Sequence, residues 1–470
     1  MAETEYDVII IGAGAVAENV ADRVVQGGLT AVLIESELVG GECSYWACMP
    51  SKALLRSGIA LRAAQNVGGA KQAITGGLDV AAVLERRNSF TSNWDDSGQV
   101  DWVRGAGIDL VRGHGRITGE KKVSVELDGE ITELTARHAV VVSTGSDPVL
   151  PDIPGLADVN PWTPREATSA RVIPESLAII GGGVVAVEMA TAYASFGCAV
   201  TIMARSGLLG GQEDFAGEIV GEALKELGVS IVHAAPSAVS RDEAGLLTIT
   251  VDGRSVEANE ILVATGRQPR TTDIGLETVE LTPGDWITVD DTLRVPDSDW
   301  LYATGDVNHR ALLTHQGKYQ ARAAGDVIAA RALGKTVANA KWGAHVATAD
   351  HAAVPQVTFS DPEVASVGLT SVQAEKAGYV IRVVDYDLGA VAGASVHADG
   401  YSGKARMVVD EERQVILGVT FVGQDVSEML HAATIAVVGE VPIARLWHAV
   451  PAYPTMNEVW LRLLETYGRP

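Results

Sequence analysis

Asp7–Ser36 reads DVIIIGAGAVAENVADRVVQGGLTAVLIES. The opening apolar run has the length and branching of a buried strand. It breaks at Gly12 and Gly14, continues with helical spacing, and ends in a second apolar run closed by Glu35. This is a strand, a G-x-G-x-x-A turn (Gly12, Gly14, Ala17), a helix and a strand, the βαβ unit of a dinucleotide-binding domain. The first glycine makes the tight turn, and the second lets a diphosphate approach the backbone. The small third position lets helix and strand pack closely, and the helix N-terminus faces the phosphates. Glu35, 23 residues after Gly12, stands where an acid grips a ribose hydroxyl.

The pattern occurs twice. Leu177–Arg205 reads LAIIGGGVVAVEMATAYASFGCAVTIMAR, and at an offset of 169 Gly12, Gly14, Ala17 and Gly28 fall on Gly181, Gly183, Ala186 and Gly197. One such turn often reflects packing alone; two in register point to two bound dinucleotides. The copies differ where Glu35 stands, because the second has Ala204 followed by Arg205. An arginine at a strand end is often merely solvated. Here the loss of the acid that would repel a 2′-phosphate favours the nucleotide role, so the second site is expected to take NADPH rather than NADH.

At 470 residues the chain has room for roughly three domains of about 150. Its 47% hydrophobic and 20% charged residues are the balance of a globular protein. The 36 basic and 60 acidic residues leave a net charge of −24 with no basic run, so neither nucleic acid nor an anionic membrane is an expected partner. No apolar stretch reaches the roughly 18 residues of a membrane span. The N-terminal MAETEYD is acidic where a signal peptide is basic, which leads us to expect a cytoplasmic protein.

Three cysteines exclude a disulfide-stapled scaffold. Cys43 and Cys48 lie together in Gly40–Lys52, GGECSYWACMPSK, and two ligands do not make a zinc site. A redox pair is favoured. Five residues apart in a regular helix they could not bridge, so irregular backbone is expected around Ser44–Ala47, with helix starting near Pro50. Cys48 would then sit at a helix N-terminus, which stabilises a thiolate. Lys52 follows one turn later on the same face. Cys198 precedes a buried-looking strand and reads as a small core residue.

Over nearly its whole length the chain resembles the flavin-dependent pyridine-nucleotide disulfide oxidoreductases, the group of dihydrolipoamide dehydrogenase, glutathione reductase and mercuric reductase. The motifs carrying the resemblance are the C-x4-C segment with its P-S-K, STGSDPVLPDIPG (Ser143–Gly155), ATGRQP (Ala264–Pro269), YATGDV (Tyr302–Val307) and VPQVTFSDPEVASVGLT (Val354–Thr370). It implies an α/β fold with two Rossmann-like dinucleotide-binding domains and a C-terminal α+β dimerisation domain. The FAD domain would be split between 1–150 and 270–345, the NADPH domain would span 151–269, and 346–470 would form the homodimer interface. It also implies that Thr144, Gly145 and Asp306 contact FAD and that Gly266 belongs to the NADPH site. Cys48 would be the thiol against the flavin and Cys43 the interchange thiol. Lys52, beside the flavin, would pair with Glu188.

One departure bears on activity. Disulfide reductases of this family carry H-P-T-x-x-E, whereas this chain reads YPTMNE, with Tyr453 in place of the histidine and Glu458 retained. A histidine near pKa 6.5 shuttles protons at neutral pH; a tyrosine near 10 does not act as a base there. Mercuric reductases share the tyrosine but add a vicinal Cys-Cys pair near the C-terminus, and no cysteine follows Cys198 here. Efficient Hg(II) turnover is therefore not expected. His448 is a possible substitute base, although packing or surface exposure is its commoner role. The expectation is an NADPH-dependent FAD enzyme that passes electrons through Cys43–Cys48 to a small disulfide, metal ion or other small-molecule acceptor. The alternatives are direct transfer from reduced flavin to a quinone or dye, and a mercuric-reductase-like metal reductase.

Overall fold

The structure, a computed structural model, describes residues 4–469. The chain divides into two compact units. The first comprises 1–50, 88–149 and 266–351; the second comprises 51–87, 150–265 and 352–470.

The first unit is built on the leading βαβ element: β1 (Glu5–Ile11), α1 (Ala15–Gln26) and β2 (Ala31–Glu35). β1 lies between β2 and the strand Glu130–Val142, parallel to both, and Asp109–Arg112 extends the sheet beyond β2. Ile9, Ile10, Val32 and Leu33 are fully buried. Both faces of these strands are covered, which is why they read as continuous apolar runs rather than alternating ones. Leu301–Ala303 joins Glu130–Val142 in parallel, and the helix Thr314–Ala332 packs along α1.

The second unit repeats the plan. Ser230–Val232, Ala199–Met203, Ser176–Ile180 and Glu260–Val263 form a four-stranded parallel sheet in the same spatial order. The repeat seen in the sequence is thus also a repeat of topology. Gly12 and Gly181 adopt φ of +105° and +124°. A Cβ on Gly12 would stand 2.5 Å from the Ser143 carbonyl oxygen, and one on Gly181 would overlap that of Ala264. Both turns therefore require glycine for conformation and for space. The remainder of this unit carries a five-stranded antiparallel sheet, Gln356–Thr358, Glu363–Gly368, Val415–Gly423, Lys404–Asp410 and Ile381–Asp387 in spatial order. The buried side chains of helices Leu430–Val438 and Val459–Tyr467 share its core. Cys198 is a core residue of the second unit, and burial pushes its thiol up to about 12. No described helix is long and apolar enough to cross a membrane.

Candidate active site

The first unit holds a cavity of about 650 Å³ lined by Gly12, Gly14, Glu35, Cys43, Thr144, Gly145, Asp306 and Thr314, among others. The N-terminus of α1 opens on it at Gly14, whose extended backbone begins the helix. Ala17, fully buried, packs inside the unit's core. Glu35 is fixed by the amides of Ala13, donating to Oε2 at 2.7 Å, and Glu37, donating to Oε1 at 2.8 Å. Burial raises its carboxyl above the ordinary range, and those amides oppose the shift. Thr144 donates to the Arg270 carbonyl at 2.7 Å, and Asp306 accepts from the Ser146 hydroxyl at 2.6 Å. An anion-favouring helix end, a glycine cradle and an acid at the ribose position fit FAD along this cavity.

The redox segment departs from the expectation in one respect. Gly41–Tyr45 is a short helix, α2, and α3 (Cys48–Gln65) begins at Cys48 rather than near Pro50. The break is confined to Trp46 and Ala47. Their amides both donate to the Glu42 carbonyl, at 2.9 and 2.7 Å, and close α2 abruptly. Tyr45 is buried, and its carbonyl accepts from the Trp94 indole at 3.2 Å. Cys48 thus stands at the N-terminal end of α3, with its sulfur 3.2 Å from Thr314 Oγ1. Its hydrogen bond with Cys48, together with burial, pushes the Cys43 thiol well above the usual range; Thr314 and Lys318 oppose the shift.

In the second unit Lys52 Nζ stands 3.1 and 2.9 Å from the two Glu188 carboxylate oxygens. Glu188 is buried in the helix Val184–Ser195 and also accepts from the Phe359 amide at 3.0 Å. Gly183 begins that helix, as Gly14 begins α1, and Ala186 is fully buried in it. Arg205 is exposed just beyond the strand Ala199–Met203. Gly266 lies in the first unit, where its carbonyl accepts from the Val149 amide at 3.0 Å. Tyr453 is 77% exposed and His448 is exposed, whereas Glu458 is buried with no partner for its Oε2 among the described residues. Gly393 lets the YPTMNE turn lie against its backbone, since a Cβ there would overlap Thr455.

Sequence reasoning missed Glu42, Ser146, Arg267, Arg270 and Phe359. Arg267 Nε donates to Ser146 Oγ at 2.6 Å and lies 3.7 Å from Asp306. The conspicuous R in ATGRQP was the available signal for it.

Two glycine-anchored nucleotide folds, one with Cys43 lining its cavity and Cys48 within hydrogen-bond reach of it, define a class: oxidoreductases that move electrons between two dinucleotides and a pair of cysteines. Residues 6–326 match the pyridine nucleotide-disulphide oxidoreductase family, and 354–463 match its dimerisation domain. The chain belongs to this family and is a flavoprotein oxidoreductase that works with a pyridine nucleotide. It is similar to the mercuric reductase of Staphylococcus aureus, 31% identical over 464 residues covering 97% of this chain and 81% of that one. It is similar also to the dihydrolipoyl dehydrogenase of Haloferax volcanii, 30% identical over 485 residues, covering 98% and 96%. The Cu(II) complex of the HOCl-induced flavoprotein disulfide reductase RclA from Escherichia coli shares the fold, with a TM-score of 0.84 over 98% of this chain and 99% of that one at 23% identity.

Proposed function

We propose that the protein is an NADPH-dependent FAD enzyme that delivers an electron pair through Cys43–Cys48 to a small acceptor requiring no base, a quinone or a metal ion, and reduces disulfides slowly. Support for the route comes from Cys43, which lines the cavity of the first unit, and from Cys48 at the start of α3, whose sulfur lies beside Thr314, another lining residue. Bound FAD would take hydride from NADPH and supply its two electrons and its proton. The Cys43–Cys48 disulfide accepts the pair and its S–S bond breaks, leaving a Cys43 thiol and a Cys48 thiolate at the start of α3. Thr314 is placed to hydrogen-bond that thiolate, and Lys52 supplies positive charge one turn further along α3. Oxidation by the acceptor re-forms the S–S bond and releases the Cys43 proton. Arg205 supports the NADPH preference. The exposed Ile435, Val450 and Tyr453 support a homodimer, as does the dimerisation domain.

Tyr453 carries the acceptor reading. It leaves Glu458 with no histidine to orient, so dithiol–disulfide exchange lacks its proton carrier. The test is anaerobic reduction by NADPH, followed by a quinone, Cu(II), Hg(II) and glutathione disulfide, each read by flavin absorbance. Reoxidation fastest with glutathione disulfide would defeat the proposal. A variant lacking both cysteines separates direct transfer from the thiol route, since a quinone served by reduced flavin alone would be unaffected.

A further inference from the structure

Glu42 has two tasks in the redox segment. Its carbonyl accepts from Trp46 and Ala47 and so closes the turn between the two cysteines. Its carboxylate, one residue from Cys43, borders the same cavity as Gly12 and Gly14. The N-terminus of α1 opens on that cavity at Gly14, a place that favours an anion. A Cβ on Gly41 would stand 2.9 Å from the Gly14 Cα, so the redox segment runs against the glycine turn itself. A carboxylate at this place opposes a bound diphosphate unless a cation answers it.

Arg270 answers it. Its Nη2 donates to Glu42 Oε1 at 3.1 Å, its Nε donates to Asp147 Oδ1, and its Nη1 lies 3.7 Å from Glu37 Oε2. Its backbone is equally engaged. The Arg270 amide donates to the Gly145 carbonyl at 3.1 Å, and its carbonyl accepts from Thr144 Oγ1. A planar fork can hold two carboxylates in fixed directions at once, which a lysine ammonium on a flexible stem cannot. Glu42 and Arg270 are 228 residues apart, so this pair joins the redox segment to the strand pair of Ser146–Pro148 and Arg267–Pro269.

We propose that Arg270 is a positioning residue: braced by Asp147, it holds Glu42, and through it the turn that sets the reach between Cys43 and Cys48, while cancelling a carboxylate that would repel the cofactor diphosphate. The second half rests on the FAD reading; the first does not.

The test is a cycle of E42Q, R270Q and the double variant, with R270K beside them, all as full-length flavoprotein. Two quantities are read: the rate of FAD loss on dialysis, from visible absorbance per chain, and the rate of iodoacetamide alkylation at Cys43 after reduction, located by mass spectrometry. R270Q is expected to lose FAD about tenfold faster and to alkylate at an altered rate, and the double variant to return FAD retention, but not the alkylation rate, to within about twofold of wild type. R270K, which keeps the charge without the fork, should restore FAD retention but not the alkylation rate. Wild-type behaviour in R270Q, or a double variant that retains FAD no better than R270Q, overturns the proposal. Should R270Q fail to fold, a double variant that folds and retains FAD supports the proposal, and one that fails alike overturns it. A wild-type chain that binds no FAD defeats the cofactor reading instead, and the alkylation rates alone then decide the positioning role.

Discussion

The Lys52 ammonium sits 2.9 Å from Glu188 Oε2 and 4.8 Å from the centroid of the Phe359 ring. The pair is unequal, because the lysine side chain is 36% exposed and the glutamate 4%. Removing the cation strands a buried carboxylate, whereas neutralising the carboxylate leaves a lysine that water can reach. Lys52→Met should therefore lower stability by about 2 kcal/mol, less than for a fully buried pair because the lysine is partly solvated. Glu188→Gln should cost about 1 kcal/mol, since its amide oxygen can still accept from Phe359. Denaturant unfolding measures both, and the reverse order would show that the carboxylate is not the dependent partner.

What the sequence makes legible here is local. Gly12 and Gly181 announce themselves because only glycine meets both the positive φ and the nearby carbonyl. The cysteine spacing declares a break between Cys43 and Cys48, but not its extent. The break is narrow because the Glu42 carbonyl takes two amides at once, a detail of hydrogen bonding that no residue pattern encodes. Pairs distant in sequence are silent without a family to supply them. Lys52 and Glu188, 136 residues apart, are foreseen only through the resemblance. Cys48 and Thr314, 266 apart, are not foreseen. Glu42 and Arg270 escape for the same reason, each being an ordinary charged residue until the fold brings them together.

The two thiols should behave differently. The N-terminal end of α3 favours a thiolate at Cys48, and a thiolate beside oxidised flavin absorbs at long wavelength. Cys43→Ser should show that band without reduction, and Cys48→Ser should lack it. Visible spectra of the two variants decide the matter, and identical spectra would reverse or dissolve the assignment.

The pyridine nucleotide preference is tested at Arg205. Arg205→Ala should weaken NADPH by about tenfold or more while changing NADH little, because only the 2′-phosphate needs the cation. Steady-state KM values for both nucleotides provide the comparison. Equal losses would remove Arg205 from the site.

Glu18 gives a dependence on pH. It lies in the first turn of α1, is 8% exposed, and has no partner for Oε1 among the described residues. Burial lifts its carboxyl to about 7; Lys318 opposes the shift and Glu35 adds to it. A carboxyl that titrates higher in the folded state binds its proton more tightly there. Its contribution is complete below its ordinary value of 4.5 and is lost as pH rises through 7. Glu18→Gln should remove this slope and raise the melting temperature most at about pH 8. An unchanged profile between about pH 5 and 8 would place the titration elsewhere.

Tyr453 decides which acceptors are fast. Its phenol is 77% exposed and can donate a hydrogen bond, but it is not a base at neutral pH. Glutathione disulfide and lipoamide should accordingly be reduced slowly, at rates that climb with pH as thiols ionise unaided. Tyr453→His should raise disulfide turnover, because the buried Glu458 carboxylate, with an unpartnered oxygen among the described residues, stands five positions on in the turn, ready to orient an imidazole. Quinones and dyes need no such relay and should respond far less. Steady-state rates with one acceptor of each kind, for wild type, Tyr453→His and Tyr453→Phe, separate the cases. Wild-type turnover of a simple disulfide at about 10² per second, unchanged in Tyr453→Phe, would sink the argument. The proton would then come from another group, with the exposed His448 the first to replace.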